Sequence, residues 1–243
     1  MAEPAQIRPT SEQQVAGEVQ PRVVLQPLAA PSILGLFGFA GATLIVAANM
    51  AGWYGNSTTT AFFLAPFALA FGGIAQFLAG MWAFKARDGL ATAMHGMWGS
   101  FWIGYGILWL LVGTGVLPTS GLDTAFGFWF IPLAAITYSG AFAALSDGNL
   151  GVFSVLLLLA TGAAFAAGAL MSGGHFWEIV AGWLFVASAV DAWYVATAMM
   201  LEGAAGKVIL PLFKMRKDTN IPGRKPTRPI QLEWAEPGIK RGQ

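Results

Sequence analysis

The chain has 243 residues, of which 56% are hydrophobic and only 10% charged, and its mean hydropathy is +0.62. A soluble domain carries about 25% charged residues, so much of this protein's surface must face something other than water. Cysteine is absent, which excludes disulfides, thiol chemistry and Cys-based metal sites; the net charge of +1 says nothing about partners.

Residues 1–29 are polar, contain Pro, Gln and Glu, and hold no apolar core. They are expected to form a disordered cytoplasmic tail, not a signal peptide. Six apolar runs follow, near 32–53, 60–84, 90–114, 123–145, 150–171 and 177–201. Each is long enough to cross roughly 30 Å of hydrocarbon. The links WYGNSTTT, KARDG, VLPTSGL, SDGN and SGGH are short and rich in turn formers. Short links make neighbouring spans antiparallel. The expected fold is therefore an all-α membrane protein with six transmembrane helices in a compact bundle over 30–203. Small residues recur within the runs (GLFGFAGA, FGGIAQFLAG, TGAAFAAGAL), as close helix approach in lipid requires.

Every Lys and Arg lies in the N-terminal tail, in the second link (Lys85, Arg87) or from Lys207 onward. The positive-inside rule then places both termini in the cytoplasm. Residues 204–243 form a basic cytoplasmic tail, with nine basic and three acidic residues from Gly206 onward. Attraction to an anionic membrane surface is its plain reading; nucleic-acid binding would need a folded basic module, which this Pro-containing stretch does not supply.

No hydrolase, phosphate-binding or metal signature appears. Glycine runs such as GLFGFAG lie inside an apolar span, without the strand–turn–helix context of a dinucleotide site. His175 falls in a link. His95 lies about one turn inside the third span, where it is either a proton relay or a hydrogen-bonded interfacial side chain. No cofactor is expected, and no enzymatic activity.

Asp191, in ASAVDAWYV, is the one ionisable acid well inside a span. Asp123 and Glu178 stand at helix starts, where a carboxylate suits the helix dipole. An ionised carboxylate deep in a span costs about 2.5–3.5 kcal/mol on insertion scales, and no Lys or Arg lies well inside any span to pair with it. Asp191 is thus either a proton-coupling group or a protonated side chain bonded to a neighbouring helix or protomer. The missing cations also constrain the solute. An anion would have to be held by backbone N–H groups, or else cross neutral or with a proton. A small weak acid or a small neutral solute fits.

Several stretches resemble the acetate uptake transporters, also called succinate–acetate permeases. Ala30–Leu36 (APSILGL) matches the family signature NPAPLGL at Pro31, Leu34, Gly35 and Leu36, with Ala30 and Ile33 replacing its Asn and second Pro. Gly38 and Phe39 match the GF that follows. GGIAQ at 72–76, GSFW at 99–102, AWY at 192–194 and GKVILP at 206–211 complete the series over residues 30–211. The resemblance implies a six-helix protomer with its own pore, a hexameric ring, and proton-linked transport of acetate, with succinate as a further solute; a gate narrowed by Trp98 would favour formate-sized solutes. It also implies a hydrophobic constriction of Phe, Tyr and Leu. Phe39 stands at the Phe position, Trp98 at the Tyr position and Leu158 at the Leu position. Trp for Tyr enlarges the side chain and removes a hydroxyl.

The leading expectation is a multi-pass plasma-membrane (inner-membrane) protein that moves a small monocarboxylate, proton-coupled or channel-like. Phe39, Trp98 and Leu158 would form the constriction, Gln76, Asn49 and Tyr105 would offer hydrogen bonds along the pathway, and Asp191 would take the coupled proton. Lipid and other copies of the chain are the expected partners. The alternative is a channel for a small neutral solute such as urea or ammonia; a sensor or partner subunit without flux comes third.

Overall fold

The structure, a computed structural model, describes residues 28–56 and 59–215. The expected N-terminal tail and most of the expected C-terminal one lie outside the described residues. Six helices long and apolar enough to cross a membrane follow one another: α1 (Pro31–Met50), α2 (Thr60–Ala86), α3 (Gly89–Gly113), α4 (Leu122–Ser146), α5 (Leu150–Ser172) and α6 (His175–Ala205). The chain is thus a multi-pass helical membrane protein, as its apolar runs require. Even α1, with 20 residues, spans about 30 Å at 1.5 Å per residue.

Local chemistry sets the helix ends. Pro31 opens α1, where its missing N–H costs nothing. The side chains of Asp88 and Asn149 cap α3 and α5 by accepting from the amides of Ala91 (2.8 Å) and Val152 (3.2 Å). Gly173 and Gly206 stop α5 and α6 in the left-handed region, with φ of 69° and 63°. Inside the spans, hydroxyls bond back to the carbonyl four residues earlier, as at Ser100, Ser139, Thr161 and Thr197. This satisfies them without water.

The helix α2 is not uniform. Residues Leu69–Ala75 form a π-helical turn between two α-helical stretches, three residues beyond the internal Pro66. Proline removes one helical donor, and π turns inside α-helices recur at functional sites. The sequence reading placed a helix here but not this widening.

Helices packed side by side close into a ring. Each helix packs on its chain neighbours, α6 returns to α1, and α1 also touches α3; among the described residues α2 does not meet α5, nor α3 meet α6. Small residues make the tight seams. A Cβ at Gly80 or Gly99 would come within 2.7 Å of the backbone amide of Gly96 or Phe77, so α2 and α3 touch backbone to backbone there. The α3–α4 seam is sparse by comparison and is bridged by large side chains. Outward, α2 exposes Phe63, Phe67, Phe71, Ile74, Leu78 and Trp82, an apolar surface suited to lipid or to another membrane-embedded copy.

Beyond α6 the chain turns back. Leu150 donates its amide to Phe213 O (3.0 Å), and the Met215 amide donates to Gly148 O (2.7 Å). Val208 and Leu212 are buried, and Tyr194 Oη donates to Pro211 O at 2.9 Å. The first ten residues after α6 therefore form a latch across the start of α5.

Among the described residues the cations are Lys85, Arg87, Lys207 and Lys214. All lie at or beyond the α2 end, the α3 start or the α6 end, and hence at one end of the bundle. We call this the basic end; the far end carries Asp123, His175 and Glu178.

Candidate functional site

The buried positions of α3 form one stripe at helical spacing: Ala91, Met94, His95, Trp98, Phe101, Trp102 and Tyr105. Because the helices close a ring, this stripe faces the ring's interior. The far half of the stripe borders a cavity of about 470 Å³, which would hold about fifteen waters at roughly 30 Å³ each. Its mouth is at the far end, between Leu122, Asp123, Gly173, Gly174, His175 and Glu178. His175 Nδ1 lies 3.2 Å from Glu178 Oε2 there.

Eight of the twenty-three residues that line the cavity are aromatic, and neutral polar residues stand among them. Thr43 Oγ1 and the indole N–H groups of Trp102 and Trp109 are buried without a hydrogen-bond partner. Tyr105 stands between the two tryptophans, its ring centroid 5.3 Å from Trp102 and 6.2 Å from Trp109. Asn49 also lines the cavity, but its amide is engaged: Nδ2 donates to Tyr54 O at 2.7 Å, and Tyr54 Oη donates to Ile45 O at 2.6 Å. Among the described residues no Lys or Arg borders the cavity.

The floor is a chain of rings from four helices. Phe39 of α1 meets Trp98 of α3 edge-on at 6.1 Å; Trp98 meets Phe101 at 5.2 Å; Phe101 meets Phe130 of α4 at 5.4 Å; Phe130 meets Phe185 of α6 at 6.3 Å. Phe39 and Trp98 are each only 2% exposed. The two edge-to-face pairs, Phe39–Trp98 and Trp98–Phe101, each favour contact by roughly 0.5–1.5 kcal/mol beyond their burial, and with the tilted Phe130 and Phe185 the floor is a packed plug.

The structure thus brings Phe39 and Trp98 together, and puts Tyr105 and Asn49 on the cavity wall above them. Gln76 follows the π turn on α2; it is buried with Oε1 unpartnered and does not border this cavity. On α5, Leu156 and Leu159 belong to the buried cluster that holds Phe39 and Trp98, while Leu158 is partly exposed and outside it. Asp191 lies at the α5–α6 seam, not on the cavity wall. Ser154 of α5 is its polar neighbour, and Oδ2 is enclosed without a partner. One turn away on either side, Ser188 donates to Val155 O (2.8 Å) and Tyr194 to the latch. Phe101, Phe130 and Phe185 complete the plug and were not singled out from sequence. Their aromatic character was the available signal, but it does not say which way a side chain on a span faces. Among the described residues no group of three or more His, Cys, Asp or Glu is arranged to hold a metal ion.

Comparison with known proteins agrees with this architecture. The solved structure of the bacterial acetate channel SatP superposes with a TM-score of 0.70 at 23% identity, covering 76% of this chain and 99% of that one. The succinate-acetate/proton symporter SatP of Escherichia coli K12 is 26% identical over 193 residues, 76% of this chain and 95% of its own length. An uncharacterised protein of Methanothermobacter thermautotrophicus is 28% identical over 204 residues, 78% of this chain and 93% of its own. Residues 15–217 match the GPR1/FUN34/yaaH family, and the chain belongs to that family.

Proposed function

We propose that this protein moves a small monocarboxylate of the acetate class across the membrane, one solute pathway per protomer. The observation that carries this reading is the cavity: an aromatic-rich wall that includes Tyr105, no Lys or Arg among the described residues that line it, and an aromatic plug as its floor. The hydroxyl of Tyr105 on the cavity wall is a donor suited to a carboxyl oxygen. A packed aromatic plug without cations among its side chains favours a solute that passes neutral, as the acid or with a proton. The symporter and the channel among its relatives, both named for acetate, support the same solute class.

In this reading the basic end is cytoplasmic by the positive-inside rule, the cavity is the external vestibule, and the protein sits in the plasma membrane as a hexameric ring. Phe39 and Trp98 close the neck, with α5 supplying a leucine beside them. Tyr105, Asn49 and Gln76 serve the solute on its way, and Asp191 carries the coupled proton.

The test is uptake of labelled acetate into proteoliposomes under an imposed pH gradient, with formate, propionate, succinate and urea as competitors. Saturable uptake, driven by an inward proton gradient and blocked by short monocarboxylates, is expected. Urea flux indifferent to carboxylates would replace this reading with the neutral-solute channel; no flux of either solute would remove transport altogether.

A further inference from the structure

On the basic side of the plug, one polar side chain remains without a role. His95 lies three residues before Trp98 on the same buried stripe of α3, about 4.5 Å nearer the basic end at 1.5 Å per residue. It is 5% exposed, and Nδ1 is enclosed with no hydrogen-bond partner. Nε2 likewise has no hydrogen bond to any described residue but is not enclosed in the same way. The ring edge rests on α1 at Gly35, where a Cβ would come within 2.5 Å of Nδ1 and Cε1. That glycine therefore makes room for an imidazole which the protein itself leaves unbonded. A buried polar group without a partner costs about 1–3 kcal/mol, so such a group calls for an explanation.

We propose that His95 binds the carboxyl group of the solute on the basic side of the plug. This rests on the monocarboxylate reading and adds the residue that would recognise the solute there. A neutral imidazole offers one N–H and one bare nitrogen. With Nδ1 enclosed against Gly35, Nε2 is the nitrogen that meets the solute: when bare it accepts from the O–H of an undissociated acid, and when it carries the hydrogen it donates to a carboxylate oxygen. His95 thus suits the solute in either form, without a permanent cation in the span. No acidic or basic side chain competes for it on the helices packed against α3. Among the described residues α1 has no titratable side chain. On α2 only Lys85 titrates, exposed at the helix end with Nζ 5.5 Å from the Trp82 ring. On α4, Asp123 is at the far end, and Tyr138 Oη is engaged by donating to Thr161 Oγ1 at 3.1 Å. On α3 itself the other titratable side chain is Tyr105, on the vestibule wall.

The chain has two histidines, so ¹⁵N-histidine labelling of the full protein in proteoliposomes gives a spectrum that His175→Gln assigns. Addition of sodium acetate, but not of sodium chloride, is expected to shift a His95 ring nitrogen. In parallel, His95→Phe should raise KM for acetate about tenfold or more with little change in maximal rate, and His95→Gln, which keeps a donor and an acceptor, should recover most of the loss. If the wild type takes up acetate while the His95 signals stay still and both variants keep its KM, His95 does not bind the solute and the transport reading stands. If the wild type takes up no acetate, the transport reading fails and this assignment with it.

Discussion

The indole N–H of Trp98 on α3 donates to the hydroxyl of Thr137 on α4 at 2.9 Å, and that hydroxyl donates onward to Leu133 O at 2.6 Å. Both side chains are buried, and the bond crosses the sparsest seam of the helix ring. The indole N–H is the one hydrogen-bond donor of a tryptophan side chain. Here that donor fixes the ring in the plug.

Thr137→Val preserves the shape of the side chain and leaves the indole N–H without a partner. A buried orphaned donor costs about 1–3 kcal/mol. The variant should unfold at correspondingly lower temperature or denaturant in detergent, and Thr137→Ser should restore most of the loss. Equal stability of Thr137→Val and wild type would mean the bond does not hold the seam.

Trp98→Ala removes the largest member of the plug and its contacts to Phe39 and Phe101. Large-to-small changes in a packed core cost about 3–5 kcal/mol for Trp, so the purified protein should be less stable. Its selectivity should nonetheless broaden, with propionate, butyrate and succinate entering faster relative to acetate than in the wild type. Competition curves for the four acids measure this; an unchanged ranking would place the selective neck elsewhere.

How much of this was legible in the sequence differs by feature. The six spans were, because runs of more than twenty apolar residues have one physical use and every link carries turn formers. Their observed ends agree to within a few residues, since caps such as Asp88 and Gly173 are local signals. The π turn at Leu69–Ala75 was not, because it depends on how α1 and α3 crowd Gly72 and Gly73, and composition does not register that. The facing of side chains was the weakest part. In the run LLLL at 156–159 the apolar pattern has no phase, so nothing distinguishes Leu158 from the buried Leu156 and Leu159. Depth along a span can be counted, but rotation about its axis comes from neighbours far away in the chain. For the same reason Phe130 and Phe185 passed unnoticed, and Asp191 could be placed at mid-span but not assigned to the α5–α6 seam.

The latch after α6 yields a stability prediction. Leu212 is 5% exposed and packs with the core cluster, and its carbonyl lies close over Gly151 of α5. Burying a leucine is worth about 1.5–3 kcal/mol, and a carboxylate placed there would lack a partner. Leu212→Asp should lower thermal stability in detergent by several degrees or prevent recovery of folded protein, whereas ending the chain after Met215 should leave stability near wild type. A destabilised truncation would show that the tail beyond Met215 carries stability of its own.

Asp191 gives the sharpest test of proton coupling. Its Oδ2 is enclosed without a partner near the middle of the 31-residue α6, about 24 Å from its start and about 21 Å from its end at 1.5 Å per residue. An ionised carboxylate at that depth costs about 2.5–3.5 kcal/mol, while a protonated one can donate a hydrogen bond across the seam to Ser154. Asparagine imitates the protonated state and cannot leave it. Asp191→Asn should therefore fold at least as stably as the wild type and still let acetate equilibrate down its own gradient. It should lose the ability to concentrate acetate when only an inward proton gradient drives uptake. The measurement is the steady-state ratio of internal to external label under that gradient, compared at equal pH on both sides. A variant that concentrates acetate as well as the wild type would leave Asp191 a structural bond between α5 and α6, and the proton would then have to travel on the solute itself through the plug.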